Sequence, residues 1–554
     1  MYRESKTPMR NLGISRVHNS STTLLQNGEI VYHLENERLS NRKYDAFPFQ
    51  CLTNLDTKNL DNICIAGVGK LTPADCFIDD DPYSLYVKTK ENKYDTKVYD
   101  LSLSHHELHA AHAFYNSGFD EAICIVKDGM GSDVPLTGDM FQSGTYGREL
   151  SSTFAASYPA NFNLIERHVA VPFEARDRIG KTFISNNLGE GMAFQKTSMA
   201  FGFHELDAGK VMGMASYGEE LPISIYEDCL IDNELFYIGK DLHDTGINFI
   251  FGDFNSKADF AFTLQKQTQE HVAQHILYQI EQTGCKNVCL SGGFFLNCVA
   301  NYYYLSVLPS DVNLYIEPVS SDAGTSIGAA KFVHHKITGD MTKRPLQNLY
   351  LGPVQDNFTR LYMESTRPTT PFEVADAIAD GKIIAIYQGR SEAGPRALGN
   401  RSILFDPRNK EAKNIINRVK RREEFRPFAA TVMEEYADGW FDMRGLNQSP
   451  FMMYAVDVMS DEIPGVTHVD NTCRVQTVNA DQNFHYYQLI NCFHEKTGVP
   501  ILFNTSFNLA GECIVETPVD AIETMKRSKI DAIYFAELGC WVSNNNNSTT
   551  TITT

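Results

Sequence analysis

The stretch SHHELHAAH (residues 104–112) holds four of the chain's sixteen histidines. His105 and His109 are four apart, and His112 follows three later, so on a helix all three share one face. Two neutral imidazoles at that spacing can hold one metal ion. HxxxH alone is short and degenerate, and it more often marks a polar helix face. Two aspartates extend it. Asp128 ends the apolar run EAICIVKDGMG, where Gly129 and Gly131 allow close approach to the backbone. Asp322 stands in SSDAG, before a helix of small residues. Each aspartate by itself reads equally as a turn or N-cap residue. Two histidines with one or two strand-end carboxylates make a mixed N/O donor set, suited to Fe(II), Mn(II) or Zn(II) rather than a thiolate-preferring metal.

A second group of residues suits phosphate. Ser291-Gly292-Gly293 lies between an apolar run and a helix start near Asn297, and such a turn can present backbone N–H groups and a helix dipole to an anion. Glycine turns there also arise from packing alone. Gly324 and Ser326 offer the same chemistry from a neighbouring loop, and Lys210 in GKVMG is a candidate phosphate contact. Further on, Arg390, Arg396, Arg401, Lys420, Arg421, Arg422 and Arg426 make a local positive field in a chain of net charge −20. Guanidinium groups match phosphate in a bidentate fashion. The segment NRVKRREEFR also fits a solvated basic helix face.

These residues need a scaffold of strand ends and loops. NVCLSGGFFLNCVAN and NLYIEPVSSDAGTSIGAA both run strand, polar loop, helix, which is the grammar of an α/β domain with ligands at its strand ends. At 554 residues the chain exceeds one ordinary core. Loosened Pro- and Thr-rich sequence divides it into residues 1–345, a linker 346–370, a second α/β domain 371–542 and a polar, disordered tail 543–554. There is no internal repeat. The N-terminus lacks an apolar leader and no run is long enough to span a bilayer, so a cytoplasmic protein without membrane contact is expected by elimination. Twelve cysteines without a CxxC read as free thiols of a reducing compartment. The acidity disfavours a polyphosphate partner unless a basic groove forms locally.

The segments NLGISRVHNSS, HHELHAAHAFYNSGF, KDGMG, GKVMGMASYG, LSGGFFLNCVAN, SSDAGTSIGAA, GPRALGNRSI and LFNTSFN, in this order, resemble the O-carbamoyltransferases that modify antibiotics and nodulation factors. The resemblance implies an actin-like (ASKHA) ATPase-type first domain, similar to the tRNA threonylcarbamoyl-transferring protein, and a YrdC-like second domain. It implies a divalent metal, Fe(II) favoured and Mn or Zn as alternatives, on His105, His109, Asp128 and Asp322, with His106 and His112 as bystanders or supporting groups. It directs Lys210, Ser291, Gly292, Gly293, Asn297, Gly324 and Ser326 to the nucleotide. Arg396, Lys420, Arg426, Arg474, Asn504 and Ser506 are directed to carbamoyl phosphate. His18 is the candidate beside the attacking hydroxyl, and Lys43 the candidate for contact with acceptor or phosphate. The co-substrate is ATP with Mg.

The reaction implied has two stages. Carbamate released from carbamoyl phosphate attacks the α-phosphate of ATP, and an acceptor hydroxyl then displaces AMP from carbamoyl-AMP. Carbamate is short-lived in water, so it calls for an enclosed path. The sequence departs from the family at Lys127 (commonly apolar), Ser132 (commonly Glu) and Asn19 (commonly Asp), near the expected acceptor site. Small-molecule or glycosidic hydroxyls are the implied acceptors. A composition rich in Asn, Lys, Ile and Tyr leaves room for a hydroxymethylated pyrimidine in a nucleotide or DNA, nucleic acid entering only as acceptor. An actin-like sugar kinase and a non-catalytic tRNA-modification subunit are the rival classes. A homodimer is the commonest state of soluble enzymes.

Overall fold

The computed structural model describes residues 8–69, 81–136, 144–172, 176–186, 188–225, 252–355 and 366–544. They form two compact units, with divisions at 36/37, 43/44 and 346/347. Residues 37–43 group with the second unit although both flanks belong to the first. The continuous 1–345 division did not include that excursion.

The first unit contains two sheets. One has the order β3-β2-β1-β4-β5, from β1 (Arg10–Ser15), β2 (Ser21–Gln26), β3 (Glu29–Glu35), β4 (Asn62–Ala66) and β5 (Lys97–Asp100). The other contains β6 (Glu121–Lys127), β7 (Asp133–Pro135), β8 (Tyr146–Ser157), β9 (Asn161–Ala170), β10 (Arg176–Ile179), β11 (Thr182–Ser185), β12 (Asn287–Ser291) and β13 (Asn313–Ile316). Its order is β10-β11-β9-β8-β6-β12-β13, with β7 beside β8. The helix Thr325–Thr338 packs on β1, β2 and β4; the helix His105–Ser117 packs on β6, β8 and β12, and the two helices pack on each other. Their small faces permit the close approach: an added Cβ at Gly328 would lie 2.1 Å from the Leu108 carbonyl oxygen.

β6, β12 and β13 are adjacent and parallel. Strands buried on both faces read as continuous apolar runs, as AICIV and VCL do. Their carboxyl ends share one edge, which places Asp128, Ser291–Gly293 and the loop to Asp322 side by side.

The second unit holds a mixed ten-stranded sheet of order β14-β23-β22-β15-β16-β21-β17-β20-β19-β18. Its strands are β14 (Thr366–Pro368), β15 (Ile384–Tyr387), β16 (Arg401–Phe405), β17 (Ala429–Met433), β18 (Phe441–Asp442), β19 (Ala455–Val458), β20 (Thr472–Val478), β21 (Ile501–Ser506), β22 (Ala532–Phe535) and β23 (Cys540–Ser543). The helix Pro371–Ala379 starts with a Thr370/Glu373 capping box and Pro at its first position.

Two expected boundaries shift. The linker 346–370 is structured at its end, where β14 pairs with β23. The tail was expected from 543, yet Ser543 closes β23 and Asn544 is buried, its amide donating to the carbonyls of Met525, Ser528 and Ile530. Residues 356–365 of the linker and 545–554 of the tail lie outside the described residues. Among the described residues no helix is long and apolar enough to cross a membrane. Cys64, Cys124 and Cys289 are buried free thiols.

Candidate metal centre and anion site

The helix His105–Ser117 places His105, His109 and His112 on one face, all without exposed surface. One ligand atom from each of His105, His109, Asp128 and Asp322 falls within 4.8 Å of the others. His105 Nε2 stands 3.4 Å from Asp128 Oδ2 and 3.5 Å from Asp322 Oδ1, and His109 Nε2 stands 3.4 Å from Asp322 Oδ1. The far nitrogens are engaged behind them: His105 Nδ1 faces the Gly67 carbonyl at 3.2 Å, and His109 Nδ1 faces Ser291 Oγ at 3.5 Å.

That arrangement has a chemical meaning. An Nδ1–H donated to the Gly67 carbonyl leaves His105 Nε2 a lone pair, pointed at two carboxylates. Buried imidazole nitrogens facing carboxylate oxygens call for positive charge between them, supplied by a proton on His105 or by a metal ion in its place. His109 Nε2 and Asp322 Oδ1 are buried without a hydrogen-bond partner. Burial opposes charge on His105, but Asp322 and Asp128 outweigh it and hold its pKa at about 10. Burial and the Asp322 carboxylate raise the Asp128 pKa, and the two histidines more than reverse this, to about 2. The donor set fits a divalent metal, which would displace the His105 proton and be held by neutral histidines whose outer partners fix their orientation.

The other first-unit candidates divide. His18 is at the rim, Nε2 3.3 Å from Asp322 Oδ2 and Nδ1 3.1 Å from Asn19 Oδ1. The Gly293 N–H donates to Asp128 Oδ1 at 3.0 Å. Gly292 has φ +99°, and an added Cβ would lie 2.3 Å from the Lys127 carbonyl oxygen, so only glycine fits the crossing of β12 past β6. Asn297, Gly324, Ser326 and Lys210, expected at the nucleotide, also have internal contacts. Asn297 caps the next helix at Ala300 N and exchanges amide hydrogen bonds with Gln265. Ser326 Oγ is buried between Ser21 and Thr23, 2.8 and 2.7 Å away. Lys210 Nζ pairs with Asp207 at 3.0 Å and lies over Phe203. An added Cβ on Gly324 would be 2.3 Å from the His112 ring.

Lys127, where an apolar residue was expected, is 3% exposed, and its Nζ lies 2.6 Å from Glu190 Oε1. Glu190, at the start of the helix Glu190–Ala200, also faces His271 Nδ1 at 3.4 Å. This explains the charge: burial pushes the Glu190 pKa up, and Lys127 with His271 pulls it well below the usual carboxylate range.

In the second unit some of the basic residues group around Lys420, whereas Arg390, Arg401 and Arg421 donate to backbone carbonyls elsewhere. Lys420 ends the helix Ala412–Lys420, 2% exposed, and its ammonium donates to the Ser506 carbonyl, to Ser506 Oγ (3.2 Å) and to Asn508 Oδ1 (2.9 Å). Burial, then Arg422, Arg426 and Lys43, push its pKa well below the lysine range. Burial, then Arg426 and Arg474, do the same to Arg422. Across the sheet Asn504 and Arg474 both stand opposite Ala429, on either side of it. Arg474 Nε and Asn504 Oδ1 are buried without partners. Asn504 Nδ2 donates to the carbonyl of Ala397, the residue after Arg396. Glu392 anchors that loop by accepting from the N–H groups of Leu398, Asn400 and Arg401. Mutually repelling cations around the unpartnered Arg474 Nε, in a low-dielectric setting, fit an anion. Lys43 belongs here through the segment 37–43, whose Arg38 is 1% exposed and donates to the Gly394 carbonyl at 2.6 Å.

Arg422 and Glu392 were not assigned roles from sequence. Arg422 was visible only as one cation among many, and a lone buried glutamate has no local signature.

The chain belongs to the carbamoyltransferase family: the family's N-terminal model matches residues 78–331 and its C-terminal model residues 375–540. It is a transferase enzyme of the O-carbamoyltransferase kind. It is 31% identical to the nodulation protein NolNO of Sinorhizobium fredii, over 93% of this chain and 78% of that one. It is 29% identical to the 3'-hydroxymethylcephem-O-carbamoyltransferase of Amycolatopsis lactamdurans, over 57% of this chain and 61% of that one. Among solved structures, full-length HypF in its phosphate- and nucleotide-bound form aligns with 62% of this chain and 48% of that one at 14% identity and TM-score 0.39, too distant to carry an argument.

Proposed function

We propose that the enzyme moves the carbamoyl group of carbamoyl phosphate, through carbamoyl-AMP, to a hydroxyl of a small-molecule or glycosidic acceptor, consuming ATP with Mg. One observation carries this reading: the same chain holds a buried His/Asp cluster whose donors suit a cation and a cluster of cations that suits an anion.

In the second unit Lys420, Arg426, Arg474 and Lys43 neutralise the phosphate of carbamoyl phosphate. The lone pairs of Asn504 Oδ1 and Ser506 Oγ suit its amide hydrogens, with Arg396 held nearby through the Ala397–Asn504 hydrogen bond. Water opens carbamoyl phosphate there to carbamate and inorganic phosphate with release of a proton, and a carbamate oxygen then displaces pyrophosphate from the ATP α-phosphorus.

In the first unit His105, His109, Asp128 and Asp322 hold a divalent metal, Fe(II) favoured, which when bound supplies Lewis acidity and a template. The backbone of Ser291–Gly293 receives the adenylate phosphate. His18, oriented by Asp322, sits where it can take the acceptor's hydroxyl proton, and the acceptor oxygen then displaces AMP from the carbamoyl carbon. Lys127, Ser132 and Asn19 give this chain its own acceptor preference. A hydroxymethylated pyrimidine, in a nucleotide or DNA, is the second acceptor class to test.

The test is a nucleotide product assay with ATP, carbamoyl phosphate, Mg(II) and Fe(II), with and without hydroxylated acceptors. AMP and pyrophosphate that depend on carbamoyl phosphate, with an acceptor mass gain of CONH, are the expected outcome. ADP alone would refute the reading in favour of a kinase. His109→Ala and Asp128→Ala should abolish transfer while carbamoyl-AMP formation partly survives, and Arg426→Ala should stop carbamoyl-AMP from forming. Equal loss of both half-reactions in all three variants would refute the two-site scheme.

A further inference from the structure

Next to the metal cluster lies a buried network that the reaction does not use. Glu317, at the end of β13, has no exposed surface, and neither has His112. Glu317 Oε1 accepts from the Val319 N–H at 3.0 Å, while Oε2 accepts from Asn116 Nδ2 at 2.9 Å and Tyr315 OH at 3.2 Å. His112 Nε2 stands 3.3 Å from Glu317 Oε1. Lys331 Nζ, 2% exposed, donates to Asn116 Oδ1 at 2.6 Å, so one amide bridges a buried ammonium and a buried carboxylate.

The placement of these groups matters more than their number. His112 and Asn116 continue the helix face that carries His105 and His109, at successive turns. Glu317 begins the loop that ends in Asp322, and its backbone carbonyl accepts from Ser320 Oγ inside that loop. The far side of the loop presses on the same imidazole, since an added Cβ on Gly324 would be 2.3 Å from His112 Nδ1. The loop from Glu317 to Gly324 thus wraps the His112 ring, one turn beyond His109.

We propose that Glu317 is a positioning residue for the metal centre: through Asn116 and His112 it fixes the Asp322 loop against the helix that supplies both histidines. The fourth ligand is set by this clamp rather than by β13 alone, whose pairing with β12 ends at Ile316. This rests on the metal reading of His105, His109, Asp128 and Asp322.

The experiment measures Zn(II) affinity of the full chain by competition with a chelating indicator, for the wild type, His109→Ala, Glu317→Ala and Leu52→Ala. Leu52 belongs to a separate core beside β1 and β4, so its truncation lowers stability without touching the clamp. Glu317→Ala should weaken Zn(II) binding about 10–100-fold, the usual range for outer partners of a metal site, with Leu52→Ala within about threefold of wild type. Wild-type affinity in Glu317→Ala overturns the proposal, and so does an equal loss in Leu52→Ala. If His109→Ala binds as the wild type does, the metal reading itself falls, and the two failures are thereby told apart. Should Glu317→Ala not fold, Asn116→Ala cuts the same link while keeping the carboxylate, and a loss of at least about tenfold is expected.

Discussion

The Lys127–Glu190 pair allows a sharp test of how the loop beside Asp128 is held. Both groups are buried, and Nζ and Oε1 lie 2.6 Å apart. Removing one partner of such a pair leaves an uncompensated buried charge and costs about 3–5 kcal/mol, whereas replacing both with apolar groups of similar volume is near neutral. The two single variants are not equivalent. Lys127→Met leaves Glu190 with His271 Nδ1 at 3.4 Å, so its cost belongs at the low end, about 3 kcal/mol. Glu190→Leu leaves the ammonium without its carboxylate and belongs near about 5 kcal/mol. For a unit of this size, about 2 °C of Tm per kcal/mol translates these into drops of about 6 and 10 °C. The double variant should return to within about 1 kcal/mol of wild type. Calorimetry of the four proteins closes the double-mutant cycle on the first unit's transition. A double variant less stable than either single, or singles that cost under about 1 kcal/mol, would refute the reasoning.

Other outcomes follow from the same geometry. Burial pushes the Glu317 pKa up to about 7, against its Val319, Asn116, Lys331 and Tyr315 partners. The native state then binds a proton that the unfolded state has released, so this group's contribution to stability falls as pH rises from the ordinary glutamate range to about 7. Glu317→Gln should flatten the stability profile between about pH 5 and 7 by on the order of 2 kcal/mol, read by denaturant unfolding at each pH. Lys331 moves oppositely: burial lowers its pKa to about 8, so its cost is present below that pH and is relieved as pH rises through and above it. Gly292→Ala forces a Cβ into the Lys127 carbonyl at positive φ, and should cost about 1–3 kcal/mol and more than tenfold in transfer, measured by Tm and acceptor turnover. Arg474→Met should raise the carbamoyl phosphate KM more than tenfold while Zn(II) affinity stays at the wild-type value.

Much of the centre was legible because the chemistry needs short-range signatures. The His105/His109 spacing survives into one helix face, and Asp128 and Asp322 lie at ends of strands that the apolar runs announce. The residues that orient them were not, because they are long-range: Glu317 meets Asn116 across 201 positions, and Lys127 meets Glu190 across 63. Small polar residues read two ways. Ser326 and Asn297 look like ligand contacts in sequence, but a hydroxyl next to a helix start is also what a buried turn or a cap requires. The basic run at 418–426 was ambiguous for a similar reason. Lys420 is buried and Arg422 half-buried while Arg418 and Arg421 are exposed, and burial is not a property of a run of charges.

Residues 37–43 have a consequence for how this polypeptide is made. Their home is the second unit, yet 303 residues, from 44 to 346, leave the ribosome before the first residue after that division. At about 5–20 residues per second Arg38 waits roughly 18–70 s for the Gly394 carbonyl to be synthesised. The second unit therefore cannot finish without a peptide made at the start. Splitting the gene at 346/347 would not yield two whole halves. The downstream fragment would lack the arginine that fills its interior, and would need residues 37–43 returned to it as a fused or added peptide.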